Sequence, residues 1–225
     1  MKDFIKKILF APSIAKKITR LLAIIHQFSY QYLGVFASVS EGGMHPKHRL
    51  MDYHKFFVDN VSKGDSVLDV GCGNGALLKD IAVKSNASVV GVEISKYSVN
   101  LAKIRLSNLT NVKLIQSDIR EYKEDVHYDT IIMSNILEHI DKREELLRHL
   151  NMQFTPKQFL IRVPMFERDW LVPYKKEIGV EWRLDPTHKT EYIEAEFRNE
   201  LTNANLDIAK TIFRWGEIWA VAVSR

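Results

Sequence analysis

Three glycines at two-residue spacing, Gly71, Gly73 and Gly75, follow a short apolar run and lead into a helical pattern. Glycines placed there let the backbone turn sharply and approach a ligand closely, with amide groups at a helix start left free to hold it. The chemistry this allows is the binding of a nucleotide-like cofactor. A second group, Glu138, His139 and His188, has the side chains of general acid–base work: a carboxyl group and two imidazoles that change charge near neutral pH.

Two cofactors compete for the glycine turn. Gly71, Gly73 and Ala76 also satisfy the dinucleotide fingerprint, and Glu93 stands 20 residues past Gly73, where a ribose-binding acid belongs. A nicotinamide- or flavin-dependent oxidoreductase is therefore the alternative reading. Asp69 favours the other one. An acid two residues before the first glycine would repel a pyrophosphate, whereas the sulfonium and ammonium of S-adenosylmethionine both suit a neighbouring carboxylate.

The elements that must carry these residues alternate. The pattern predicts strands at 66–70, 88–92, 112–115, 130–133 and 159–163, with helices at 76–83, 97–106 and 141–150 between them. Asp141, three residues before Glu144, has the spacing of a capping box. Such alternation implies an α/β fold, a mostly parallel sheet with helices on both faces. A helix near 191–204 and two strands, 207–214 and 218–224, joined around Gly216 close the chain. Residues 164–190 break the rhythm with Trp170, Tyr174, Trp182 and His188 but few periodic signals, as a substrate-binding insertion would. Helical patterns over 47–61 and from Pro12 to about Gly34 precede the first strand. Glu41-Gly42-Gly43 marks a boundary between an arm, 1–43, and a domain, 44–225.

Charge is unevenly placed. The chain is +4 overall, yet residues 1–20 hold five lysines and Arg20 against Asp3 alone, a local +5. The remainder therefore sums to −1, which argues against a nucleic-acid partner for the body of the protein. In the arm, Ile14, Ile18, Leu21, Leu22 and Ile25 recur at helical spacing, a stripe expected to pack on the domain or to rest on an anionic membrane. Peripheral membrane contact through residues 1–33 is thus one expectation. A single cysteine, Cys72, excludes an intramolecular disulfide and fits a reducing, cytoplasmic compartment.

With these residues in view, Val-Leu-Asp-Val-Gly-Cys-Gly-Asn-Gly at 67–75 resembles the first motif of the class I, Rossmann-like methyltransferases. VVGVEIS at 89–95, IQSDI at 115–119 and YDTIIMSNILEHI at 128–140 resemble their next three motifs, the last most like the ubiquinone-biosynthesis O-methyltransferase branch. The resemblance spans residues 45–224 and implies a seven-stranded sheet with a reversed final hairpin and S-adenosylmethionine as cofactor. It also implies roles. Gly71, Gly73 and Gly75, with Asp69, Cys72 and Asn74 in the same loop, would hold the methionine moiety. Glu93 would accept from both ribose hydroxyls with Ile94 beside it, Asp118 and Ile119 would take the adenine, and Asn135 would sit near the methyl group.

The fourth strand lacks the Asn/Asp-Pro-Pro-aromatic ending of amino methylases that act on nucleobases, reading Ser134-Asn135-Ile136-Leu137 instead. A hydroxyl or carboxyl acceptor on a small molecule, a glycan or a lipid-linked sugar is expected, with His139 and then His188 as candidate bases. A related branch that methylates small-RNA ends binds metal through Glu-x-x-Glu-His; here Asn135 replaces the first acid, so no metal is expected. Arg49, Tyr53 and His54 fall in a region that folds over the cofactor in this family. An inactive chain that keeps the fold as a scaffold is the non-enzyme alternative.

Overall fold

The computed structural model describes residues 11–225, so residues 1–10 of the basic arm lie outside the described residues. Helix α1 (Pro12–Ser40) is followed by α2 (Lys47–Met51) and α3 (Tyr53–Asp59). Then β1 (Ser66–Val70), α4 (Ala76–Lys84), β2 (Ser88–Glu93), α5 (Lys96–Arg105) and β3 (Val112–Gln116) alternate as expected. β4 (Thr130–Ser134), α6 (Arg143–Phe154), β5 (Gln158–Pro164), α7 (Leu171–Glu177), α8 (Glu194–Asn203), β6 (Leu206–Arg214) and β7 (Glu217–Ser224) complete the order.

The strands form one seven-stranded sheet in the order β3-β2-β1-β4-β5-β7-β6. β3 through β5 run parallel, and β7 inserts antiparallel between β5 and β6. Alternate residues of each strand face opposite layers. Ile131, Met133, Phe159 and Ile161 pack with Leu147 and Leu150 of α6 and Phe197 of α8. Ile132 and Leu160 face the other way, onto Phe57 of α3, Leu78 and Ile81 of α4, and Ala102 of α5. Both faces being covered explains why β4, β5 and β7 read as continuous apolar runs.

A buried charge pair interrupts the second layer. Arg162 in β5, only 2% exposed, lays Nε and Nη2 on the two oxygens of Glu217 in β7, each at 2.6 Å. Tyr53 roofs the guanidinium, 3.8 Å from its ring centre, and the Trp219 indole donates to Glu217 at 2.9 Å. The pair staples neighbouring strands beneath the site.

Four local expectations are corrected. The 47–61 pattern is two helices, because Asp52 adopts a left-handed conformation (φ 46°) between α2 and α3. α1 continues past Gly34 to Ser40; Gly34 serves close approach to His45, where a Cβ would lie 3.3 Å from the ring nitrogen, and does not stop the helix. Asp141 caps nothing: α6 starts at Arg143, whose guanidinium bonds the Ile140 carbonyl at 2.9 Å and Glu200 at 2.7 Å. The insertion holds a helix of its own, α7, and the helix expected from 191 begins only at Glu194.

The arm docks through polar bonds, while of its apolar stripe Ile14 and Ile18 are half-buried and Leu21, Leu22 and Ile25 stay exposed. Arg20 donates to the Ile178 and Gly179 carbonyls at 3.1 and 3.2 Å, and Gln27, buried, donates to the Arg183 carbonyl at 2.9 Å and accepts from Lys175 at 2.8 Å.

Removing one partner of the buried Arg162–Glu217 pair leaves an uncompensated charge in the interior. Arg162→Leu is expected to destabilise the protein by about 3–5 kcal/mol, read as the shift in the chemical-denaturation midpoint.

Candidate active site

The crossovers leave β1 in opposite directions toward β2 and β4, which opens a crevice at the carboxyl ends of these strands, where ligands bind in such sheets. An open cavity of about 340 Å³ occupies it. Its lining brings together Gly71, Glu93, Ile94, Asp118, Ile119, Asn135 and His139 from the sequence reading, and adds Val70, Val92, Ser117, Arg120, Ile136 and Ile140.

Gly71 turns at φ +69°, and a Cβ there would meet Ile136 Cδ1 at 2.0 Å. The chain past β1 can therefore follow this path only without a side chain. Glu93, the last residue of β2, accepts the Gly73 amide on Oε2 at 3.0 Å and the Ser95 amide on Oε1 at 2.8 Å. Each oxygen keeps a lone pair for a ligand hydroxyl. Asp118 accepts from the Arg120 amide at 2.9 Å and from its guanidinium, which holds the carboxyl below the usual range. Arg120 thus occupies part of the acceptor capacity expected to serve an adenine.

The rest of the glycine loop shapes this lining from outside it. Asp69 lies beneath, 2% exposed, with Oδ2 bonded to nothing; burial, aided by Glu93, pushes its carboxyl up to about 8. The Cys72 side chain turns into the core near Gly91, and Gly73 orients Glu93. Asn74 is bonded by Arg105, and Gly75 caps α4 against α5. Ile136 and Arg120 were missed from the sequence; the need for glycine at 71 was the one signal of a side chain pressing there.

A second open cavity, about 580 Å³, lies beside the first. Its walls come from α1 (Tyr30, Gln31, Gly34), the α1–α2 segment (His45, Lys47), the insertion (Arg168, Asp185, His188) and the β6–β7 turn (Trp215, Glu217). Asn135 and His139 line both cavities. Asn135 is left-handed (φ 56°), a conformation asparagine tolerates, and its buried Oδ1 has no partner. Arg49, Tyr53 and His54 line neither cavity; Tyr53 lies on Arg162, and His54 bonds Asp80 at 2.7 Å.

The structure brings Glu138, His139 and His188 together, with ligand-capable atoms within 4.8 Å of one another. The Thr187 hydroxyl donates to Asp185 at 2.7 Å and so accepts from His139 Nδ1 at 3.0 Å. His188 Nδ1 donates to Glu191 at 2.9 Å; Glu191 is itself bonded by Arg168 and by the Leu184 amide at 2.6 Å. Both rings therefore keep Nε2 as the basic nitrogen. Burial lowers His139 below its ordinary pKa. Glu138 is fully buried, neither carboxyl oxygen has a partner, and burial pushes it up to about 8.

Residues 61–214 match the model of the family described as "Methyltransferase domain". A probable (S)-tetrahydroprotoberberine N-methyltransferase of Papaver bracteatum is 34% identical over 94 residues, covering 40% of this chain and 26% of that protein. A ubiquinone biosynthesis O-methyltransferase of Salmonella paratyphi A is 28% identical over 130 residues, covering 52% of this chain and 53% of its own length. The chain thus spans about half or less of these relatives. Among solved structures, magnesium protoporphyrin IX methyltransferase from Synechocystis PCC 6803 with bound SAH superposes with a TM-score of 0.60 at 23% identity, over 80% of this chain and 83% of that one. The family match displaces the dinucleotide oxidoreductase alternative, and with the sheet order and the glycine turn it leads to one assignment. The chain belongs to the methyltransferase-domain family, in its Rossmann-like, S-adenosylmethionine-dependent class.

Proposed function

We propose that the protein transfers a methyl group from S-adenosylmethionine to a hydroxyl oxygen of a small-molecule or glycan acceptor held in the larger cavity. One observation carries this reading: Asn135 and His139 line both cavities, so the two ligands would meet at them. The cofactor supplies an electrophilic methyl group on a sulfonium. The residues present fit it. Asp69 Oδ2 and Asn135 Oδ1 are buried acceptors without partners, Glu93 has lone pairs to spare, and Gly71 leaves the approach clear.

Methyl transfer is governed by alignment, with a base needed where the nucleophile is a hydroxyl. His139 Nε2 takes the acceptor proton, and Thr187 fixes the ring by holding Nδ1. His188, oriented through Glu191 and Arg168, orients the acceptor; Glu138, largely protonated at neutral pH, lines neither cavity and lies buried behind the two rings. Lys47, Arg168 and Trp215 give the cavity cations and a ring face that suit a polar, ring-bearing acceptor. A second reading, in which Glu138, His139 and His188 hold a divalent ion, is favoured by the two partnerless Glu138 oxygens.

His139→Ala is expected to lower turnover by about 10²–10⁴-fold while cofactor affinity stays within a few-fold. Because His139 must be neutral to act, wild-type turnover should be flat near neutrality and fall as pH drops through a value below 6.5. Production of S-adenosylhomocysteine across pH, in acceptor screens, measures both effects. Chelation of the purified enzyme separates the readings: turnover lost and then restored by Mn²⁺ favours the ion, and unchanged turnover favours the base alone.

Asp69 is mostly protonated below about 8, and a bound cation would draw it to the charged form. Cofactor affinity should rise as pH climbs toward 8, with proton release on binding. Asp69→Asn should weaken binding roughly tenfold and abolish its share of that release, measured by calorimetry in buffers of different ionisation enthalpy.

A further inference from the structure

α1 has two faces, and only one is used. The buried side consists of Ala23 and Gln27, docked through polar bonds onto the insertion. The other side, at i, i+4, i+7, i+11, i+15 and i+18, presents Leu21 (57% exposed), Ile25 (52%), Phe28 (60%), Tyr32 (48%), Phe36 (67%) and Val39 (69%). Spaced this way they form one continuous apolar stripe along a helix about 43 Å long. Phe28, Tyr32 and Phe36 follow one another along it as tilted rings, with centres 4.5 and 6.4 Å apart. Stripes of this size are rarely left to water.

We propose that this face lies in the surface of an anionic membrane, which brings the acceptor cavity to the lipid boundary. Charge supports a lipid surface over a protein partner. Residues 12–40 contain Lys16, Lys17 and Arg20 and no acid, and residues 1–20 carry +5 while the rest of the chain carries −1. A helix–helix seam is normally flanked by charges of both signs that fix partner and register; here residues 21–40 are uncharged, and the cations gather at one end. Among the described residues no helix is long and apolar enough to cross a membrane, so the helix rests on the surface.

The position of α1 makes this a statement about the acceptor. Tyr30, Gln31 and Gly34, on the docked side, form a wall of the larger cavity. A helix with lipid on its outer side and the cavity on its inner side fits an acceptor that is itself borne by the membrane, such as a glycan or ring carried on a lipid. This last step rests on the reading of that cavity as the acceptor site. Vesicle binding tests α1 alone, and turnover of His188→Ala, which lines only the larger cavity, tests that reading, so either can fail without the other.

The test is sedimentation of the full chain with vesicles containing phosphatidylglycerol, against phosphatidylcholine alone, at low and high salt. Expected are binding to the anionic vesicles, loss of binding as salt rises, and roughly tenfold weaker binding for Phe28→Glu/Phe36→Glu and for Lys16→Glu/Lys17→Glu. Circular dichroism and cofactor titration of each variant establish that it is folded. Three results would overturn the proposal: no sedimentation of the wild type, binding indifferent to lipid charge or to the substitutions, or a lipid-free dimer in sedimentation velocity that Phe28→Glu/Phe36→Glu splits. The last would give the face to a second copy of the chain.

Discussion

The parting of the chain at β1 is the constraint on which the site depends. Because β1 is flanked by β2 on one side and β4 on the other, the loops leaving their carboxyl ends must diverge, and a crevice opens between them. Keeping it open requires two backbone conformations that most residues avoid, Gly71 at φ +69° and Asn135 at φ 56°. Ile136 fills the space that a side chain at 71 would take. The two positions are thus halves of one packing arrangement, although 64 residues of sequence separate them.

Buried charge organises the insertion wall of the larger cavity. Glu191 is bonded by His188, Arg168 and the Leu184 amide, and Arg168 also reaches the Trp182 carbonyl at 2.9 Å. An irregular segment without an extensive core of its own is held by a satisfied polar network, which carries a steep cost for any member left alone. Arg162, Glu217 and Trp219 do the same one layer below. The site therefore hangs from β5 and β7 through charge and from α6 and α8 through apolar packing.

Most of the architecture was legible in the sequence because buried parallel strands are short apolar runs with punctuated ends. The expected strands fall within a residue or so of the observed ones, and the terminal hairpin is where Gly216 predicted it. Glu93, Asp118 and Asn135 were placed by motif and do reach one cavity. What the sequence hid was direction. Cys72, Asn74 and Gly75 share a loop with Gly71 but face the core or α5, a direction that spacing within a turn does not fix. Periodicity marked an apolar stripe in α1 but could not say which face would dock, and that was decided by hydrogen bonds between Arg20, Gln27 and the insertion. Asp141 had a cap's spacing, yet Arg143 found stronger partners. Of the membrane contact expected of residues 1–33, the part at 1–10 falls outside the described residues.

The antiparallel insertion of β7 beside β5 has an evolutionary corollary. It closes a loop running from Pro164 to Glu217, and the walls that the insertion and the β6–β7 turn give the larger cavity belong to that loop. The entropy of closing a loop grows only logarithmically with its length, about 0.6 kcal/mol per doubling. Stretches between Met165 and Ile193 that lie outside the Arg168–His188–Glu191 network can therefore lengthen or shorten at little cost to the sheet. Under the proposed reading, the glycine-turn half that would take the methyl donor is fixed by the parallel sheet, while the half that would take the acceptor tolerates changes of length.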